Sequence, residues 1–199
     1  MRPLMLRMRP LCALVSFLLC LVPWRATGQE ADGPWPREYG GRDATVRLDG
    51  VEGRAVEGLR SAMVESGLSP CAPSRRLTMA ARAHARWLAD EGGRPRRVDP
   101  RLVRDEVLRA GAVDPAVVPW AVSFHDEPEI RRRVRRLATR HAGRPLTHCG
   151  AGIATTDGRS VLVMLGVRRR LGLDPFPARV APGDRRRLTG RLERGYRSP

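Results

Sequence analysis

Three features of the sequence predict an α+β fold, a three-layer α-β-α sandwich around a small central antiparallel sheet. Asp157-Gly158 sits between two β-like runs, which is a strong signal for a two-residue hairpin. The run that follows, "VLVMLGV" from Val161 to Val167, is apolar at every position, so such a strand needs cover on both faces. Three amphipathic helical segments elsewhere in the chain can supply that cover.

The chain has 199 residues, of which 42% are hydrophobic, and this is enough for one domain with a real core. Wholesale disorder is excluded on that ground. The formal charge is +16, and all 37 basic residues are Arg, with no Lys, no Asn and two Ile. Codons for the missing residues are AT-rich, so a GC-rich genome accounts for the Arg bias; the positive field is real whatever its origin.

Residues 1–28 read as a signal peptide. Arg2, Arg7 and Arg9 form a cationic start, "LCALVSFLLCLVP" is an apolar run short for a membrane span, and Ala26-Thr27-Gly28 supplies small residues for cleavage. The expected mature chain starts at Gln29, carries 33 basic against 21 acidic residues, and has no membrane-spanning segment. The expected location is secreted or periplasmic. Four cysteines become two, and in an exported chain Cys71 and Cys149 are expected to form a disulfide. The closed loop of about eighty residues is worth roughly 4 to 5 kcal/mol in the chain-entropy picture.

Residues 29–49 carry Gly, Pro, Trp35 and Pro36 without a period and read as a linker. From Val51 a weak helical pattern places Val56, Leu59, Ala62 and Met63 on one side. Ser74 is a plausible N-cap for the next helix, in which Leu77, Ala81, His84 and Leu88 recur at helical spacing before Gly92-Gly93 stops it. Asp99 and Pro100 open another helix, whose apolar side is supplied by Leu102, Val103, Val107 and Leu108 and which Gly111 ends. "AVVPWAVSF", Ala116 to Phe124, is β-like but interrupted by Pro119, which suits an edge strand or a buried loop. Asp126 and Glu129 form a capping-box-like pair ahead of a helix with Ile130, Val134 and Leu137 as its apolar stripe.

In "THCGAGIATT" the side chains alternate. Cys149, Ala151 and Ile153 face the core on one side, while His148, Gly150, Gly152 and Ala154 face the other, where the glycines let a helix approach closely. After Val167 the Pro- and Arg-rich residues 169–199 read as a tail or as the opening of a further β-module.

The order of these elements resembles the CAP superfamily of cysteine-rich secretory, antigen 5 and pathogenesis-related proteins. "LTMAARAHARWLADEGG" is similar to the family's Ala-rich helix, and "LTHCGAGIATTDGRSVLVML" to its "TEIGVGVA…DG" hairpin. "VLRAG" and "EPEIRRRVRRLATRHAGR" stand where bacterial members have a helix ending in "GHR". The resemblance covers about residues 50–168. It implies an α-β-α sandwich with a cleft of two His and two Glu that sometimes holds a divalent metal. The chain departs from that cleft. No His lies between His84 and His125, "PWAV" at Pro119 to Val122 replaces "GEN", and Arg and Thr stand where the second Glu is expected. His141 in "RHAGR" is the retained cleft candidate, with His148 and His125 as the other histidines in reach. The resemblance therefore implies a degenerate member.

Residue by residue, the chemistry is sparse. His84 lies on an apolar stripe and reads as a packed, hydrogen-bonded core residue. His148 points opposite to Cys149, which disfavours a Cys-His dyad. No CxxC, HxxxH, HExxH or GxSxG spacing occurs, so no catalytic residue, metal ligand or cofactor is assigned. Arg131, Arg132, Arg135 and Arg136 are the candidates for meeting an anionic ligand, beside the plain reading of a solvated helix face with bases toward its C-terminus. Aromatic content of 5% and the export signal argue against specific nucleic-acid recognition. The expected function is non-catalytic binding of an envelope or extracellular ligand, with an anionic polymer or lipid surface as the partner class. Two alternatives stay open at this level: a metal-dependent hydrolase using His141 with His148 or His125, and an adhesion or assembly segment of a larger surface protein.

Overall fold

The computed structural model describes residues 35–44, 46–48, 50–91, 98–114, 116–141 and 143–193. The expected signal peptide and the expected Gly92-Gly93 stop lie outside the described residues. The elements in chain order are β1 (Glu38–Tyr39), α1 (Gly50–Glu65), β2 (Ala72–Pro73), α2 (Arg75–Asp90), α3 (Pro100–Arg109), β3 (Val117–Phe124), α4 (Glu127–His141), β4 (His148–Thr156), β5 (Arg159–Val167), β6 (Leu171–Leu173), β7 (Phe176–Pro177) and β8 (Gly190–Leu192).

The fold is α+β, with helices on both faces of a four-stranded sheet of order β2-β4-β5-β3. Its long pairings are antiparallel; the two-residue β2 pairs parallel with β4. β4 and β5 are joined by Asp157 and Gly158 at φ 51° and 71°, the paired left-handed conformation that the Asp-Gly dipeptide accommodates. β3, which contains Pro119, is an edge strand, where a missing N–H costs least.

β5 is apolar on both sides because it divides two cores. Leu162 and Met164 join Trp120, Phe124, Cys149 and Ala151 under α1 and α4. Val161, Val163, Leu165 and Val167 pack under α2 and α3, against Leu77, Ala81, Leu88, Val103 and Val107. The weak pattern from Val51 is a full 16-residue helix, and it buries Val56, Leu59, Ala62 and Met63 together with Glu52 and Ala55. Its weakness in the sequence comes from Glu52 and the small residues on the buried side.

Helix starts follow local chemistry. The Ser74 side chain accepts from Leu77 N at 3.1 Å and Asp99 from Arg101 N at 2.8 Å, each satisfying a donor that the first turn leaves open. Asp126 accepts from Glu129 N at 2.7 Å, while Glu129 reaches back to His125 N at 3.1 Å. Gly111, at φ 82°, follows α3.

α2 covers the glycine face of β4. A Cβ on Gly150 would lie 2.5 Å from Thr78 N, so the helix backbone rests almost on the strand. The cysteine face is covered by α1, with α4 lying over β3 on the same side of the sheet. Cys71 and Cys149 form the disulfide and are both fully buried. It fixes the segment ahead of α2 to the start of β4.

Segments on both sides of residues 50–168 pack on the domain. β1, within the expected linker, pairs antiparallel with β7 in the expected tail, where Tyr39 and Phe176 bring their rings to 5.7 Å. β6 and β8 form a second two-stranded ribbon. These strands are two or three residues long and β1 meets β7 across more than a hundred residues, so neither segment carries a local period; 29–49 therefore reads as a linker and 169–199 as a tail or the opening of a β-module.

Candidate functional site

Two concavities carry the chain's candidate chemistry. The first is a groove of about 230 Å³ between α1 and α4. Val51, Ala55, Gly58 and Ala62 of α1 lie along one helical stripe, facing Ile130 and Val134 of α4. The α1 side is short, so the groove stays open; a Cβ on Gly58 would already touch Val134 at 3.5 Å. Arg54, Ser61 and Glu65 from α1 and Arg135 and Thr139 from α4 complete the lining. An apolar floor is thus edged by two guanidinium groups and one carboxylate.

The second is a polar cavity of about 590 Å³ at the end of the sheet where β4 begins. It lies between the segment Gly41–Asp43, His148, Arg169 and the β6–β8 ribbon, which adds Gly172, Asp174, Arg191 and Glu193. Gly40 and Gly41, at φ 73° and 75°, let the chain turn here in a conformation that other residues resist. A Cβ on Gly40 would meet the Asp174 carbonyl oxygen at 2.7 Å, and Gly41 N donates to Leu173 O at 2.7 Å.

Arg169 is the centre of this end. Its Nε and Nη2 donate to the two carboxylate oxygens of Asp114 at 2.9 and 2.7 Å, and Nη2 reaches Asp43 at 3.3 Å. The Asp43 and Asp114 side chains are each 5% exposed and that of Arg169 13%. Ser74 Oγ donates to Asp43 at 2.5 Å, so the cap of α2 and the ion-pair centre share one carboxylate. A buried triad of this kind is tolerated because each charge has an opposite partner, since a lone charge at that depth is costly. Two carboxylates flanking one guanidinium hold its pKa above the ordinary value, against the opposing effect of burial.

A further buried charge, Glu52, is structural. Its carboxylate accepts from Arg82 Nε and Nη2 at 3.0 and 2.6 Å and from Ile153 N at 3.1 Å. The two-residue β2 leaves the outer edge of β4 bare at Ile153, and Glu52 satisfies that N–H. Its sequence signal is a Glu at the buried phase of α1, four residues before Val56. The Asp43–Arg169–Asp114 centre has no comparable signal.

The expected site residues are not brought together. His125 follows β3 at the end where Phe124 pairs with Ser160, while His148 begins β4 beside Val167, at the other end of the same strands. The side chains of His141 and Arg131 lie outside the described residues. Among the described residues no group of three or more His, Cys, Asp or Glu side chains could hold a metal ion. His84 is 1% exposed, in line with a packed core residue. Its Nε2 has no partner among the described residues, and the ring stacks on Trp87 at 5.3 Å. Burial pushes its pKa below the usual histidine range.

The Arg cluster also divides. Arg132, Arg135 and Arg136 are all exposed, but only Arg135 of these lines the groove. Arg132 and Arg136 are one turn apart and lie farther around the helix from Ile130 and Val134. Arg133, outside the expected set, bonds Ser123 O at 3.0 Å and pairs with Glu129. No helix among the described residues is long and apolar enough to cross a membrane. No protein-family model matches the chain, and no curated protein matches it.

Proposed function

We propose that this chain is an exported CAP-like domain that acts by binding, and that the α1–α4 groove takes the acyl chain of an anionic lipid. The observation that carries the reading is an apolar floor whose lining also includes Arg54 of α1 and Arg135 of α4, against one carboxylate, Glu65. A hydrocarbon chain gains by leaving water for the floor, and an anionic headgroup gains from the guanidinium groups. Its volume is below the roughly 300–1,000 Å³ of most ligand pockets, which suits part of a chain drawn from a membrane surface. The helix–sheet–helix order, the disulfide and the basic charge support the CAP-like and exported parts of the reading. The other reading, a hydrolase at His141 with His148 or His125, gains no support among the described residues, where no group of three or more His, Cys, Asp or Glu side chains could hold a metal ion.

Co-sedimentation with phosphatidylglycerol-containing vesicles tests this, with phosphatidylcholine vesicles as the neutral comparison. Each Arg near an anionic surface is worth about 1 kcal/mol, so Arg54→Gln with Arg135→Gln should weaken binding about 30-fold. Arg132→Gln with Arg136→Gln should matter less. Equal binding to both vesicle types, or equal losses in the two double variants, would overturn the groove reading.

A further inference from the structure

The polar cavity is a site of a different kind from the groove, and the two share no lining residue. Its hydrogen-bond arrangement is specific. Thr147 Oγ1 donates its single proton to Val167 O at 3.2 Å and accepts from Arg169 N at 2.7 Å. With the hydroxyl proton on Val167 O, the 3.1 Å contact between Thr147 Oγ1 and His148 Nδ1 is donated by the ring. This places the proton of the neutral imidazole on Nδ1 and leaves Nε2 as an acceptor. Burial, and then the charge of Arg169, push the His148 pKa down, against weaker opposing effects of Glu193, Asp114 and Asp43. The shift favours the neutral ring.

Arg169 supplies the complementary half. Its Nε and Nη2 are taken by Asp114 and Asp43, and no hydrogen bond among the described residues reaches Nη1. The plane of the guanidinium is set by its bidentate contact, so the two Nη1 donors are held in a fixed direction. One cavity is thus lined by a fixed acceptor, His148, and a fixed donor pair, Arg169. Arg42 and Arg191 add movable donors, and Asp174 and Glu193 add acceptors.

Charge selects among possible occupants. Among the lining residues Arg42, Arg169 and Arg191 are matched by Asp43, Asp174 and Glu193, and Asp114 behind Arg169 adds a further carboxylate, so no positive excess favours an anion. An anion would gain from the arginines and lose to the carboxylates, and a cation would do the reverse. A vicinal diol satisfies both halves, since each hydroxyl both donates and accepts. We infer that this cavity binds a neutral polyhydroxylated ligand, a sugar residue, with His148 Nε2 accepting from one hydroxyl and Arg169 Nη1 donating to a neighbour. Its volume of about 590 Å³ is within the roughly 300–1,000 Å³ common for small-molecule sites.

The test is an NMR titration of the full chain with myo-inositol, galactose and N-acetylglucosamine, and with inorganic phosphate as the anion comparison. The expected result is saturable shifts at His148 and Gly172 with at least one of the neutral ligands. Affinity should hold between about 0.1 M and about 1 M salt, where the screening length falls from about 10 to about 3 Å. It should fall when acid protonates His148 and removes the acceptor. His148→Phe should weaken binding at least tenfold, and Arg191→Gln, at an exposed position, should weaken it less. Saturation by phosphate in place of the neutral ligands would overturn the inference. So would ligand shifts unchanged in His148→Phe, or no saturable shift with any of the three.

Discussion

Replacing Gly152 by Ala should destabilise this protein through a clash that no side-chain movement can relieve. A Cβ at that position would stand 2.1 Å from Arg82 N, 2.3 Å from the Ala81 carbonyl carbon and 2.4 Å from Arg82 Cα. Non-bonded carbon atoms rest at about 3.5 to 4.0 Å, so α2 has to withdraw by more than about 1 Å. All three atoms belong to helix backbone, and the helix also carries Leu77, Ala81, Ala85 and Leu88 against the valines of β5. A gap of about 1 Å forfeits up to about half of the attraction at each contact. Overpacking of this severity belongs near the top of the range of about 1–3 kcal/mol. The entropic benefit of removing a glycine from the unfolded chain returns at most about 1 kcal/mol. The net expected loss is about 2 kcal/mol or more. For a domain of this size that lowers the Tm by roughly 4–8 °C. Gly143→Ala is the control, because a Cβ there meets nothing within 4 Å. It should leave stability unchanged or raise it by less than about 1 kcal/mol. Urea unfolding followed by circular dichroism, with the disulfide intact, measures both. Equal stabilities within about 0.5 kcal/mol would refute the close seating of α2 on β4.

Reduction of Cys71–Cys149 releases a constraint across a sequence separation of 78 residues, and in the chain-entropy picture this costs about 4.5 kcal/mol. Urea midpoints with and without reductant measure it; a difference under about 1 kcal/mol would make the bridge incidental to stability. His84 should steepen acid unfolding. Its folded-state pKa is depressed by burial, so its contribution is present above the unfolded value near 6.5 and is lost as pH falls through the folded pKa. Between those two values stability should fall by about 1.4 kcal/mol per pH unit for this one group. Comparing urea midpoints across pH for the native chain and His84→Leu tests it, and an unchanged slope in the variant would refute it.

Features under local chemical control are legible in the chain directly. The Asp-Gly hairpin, the Ser74 and Asp99 caps, the stripe of α2 and the two-sided burial of β5 each follow from a few adjacent residues. The disulfide followed from counting cysteines after removing the expected leader. Tertiary structure alone decided where charge and space meet. Arg135 joins Arg54 over one groove only because α4 packs on α1, while Arg132 and Arg136 are carried away by the turn of the same helix. Asp43, Asp114 and Arg169 come from three distant segments, two of which look featureless because a single ion pair has no period. His148 could be assigned a face from strand alternation. Its ring protonation and its cavity required the Thr147 and Arg169 contacts, which exist only once the ends of the domain are folded together.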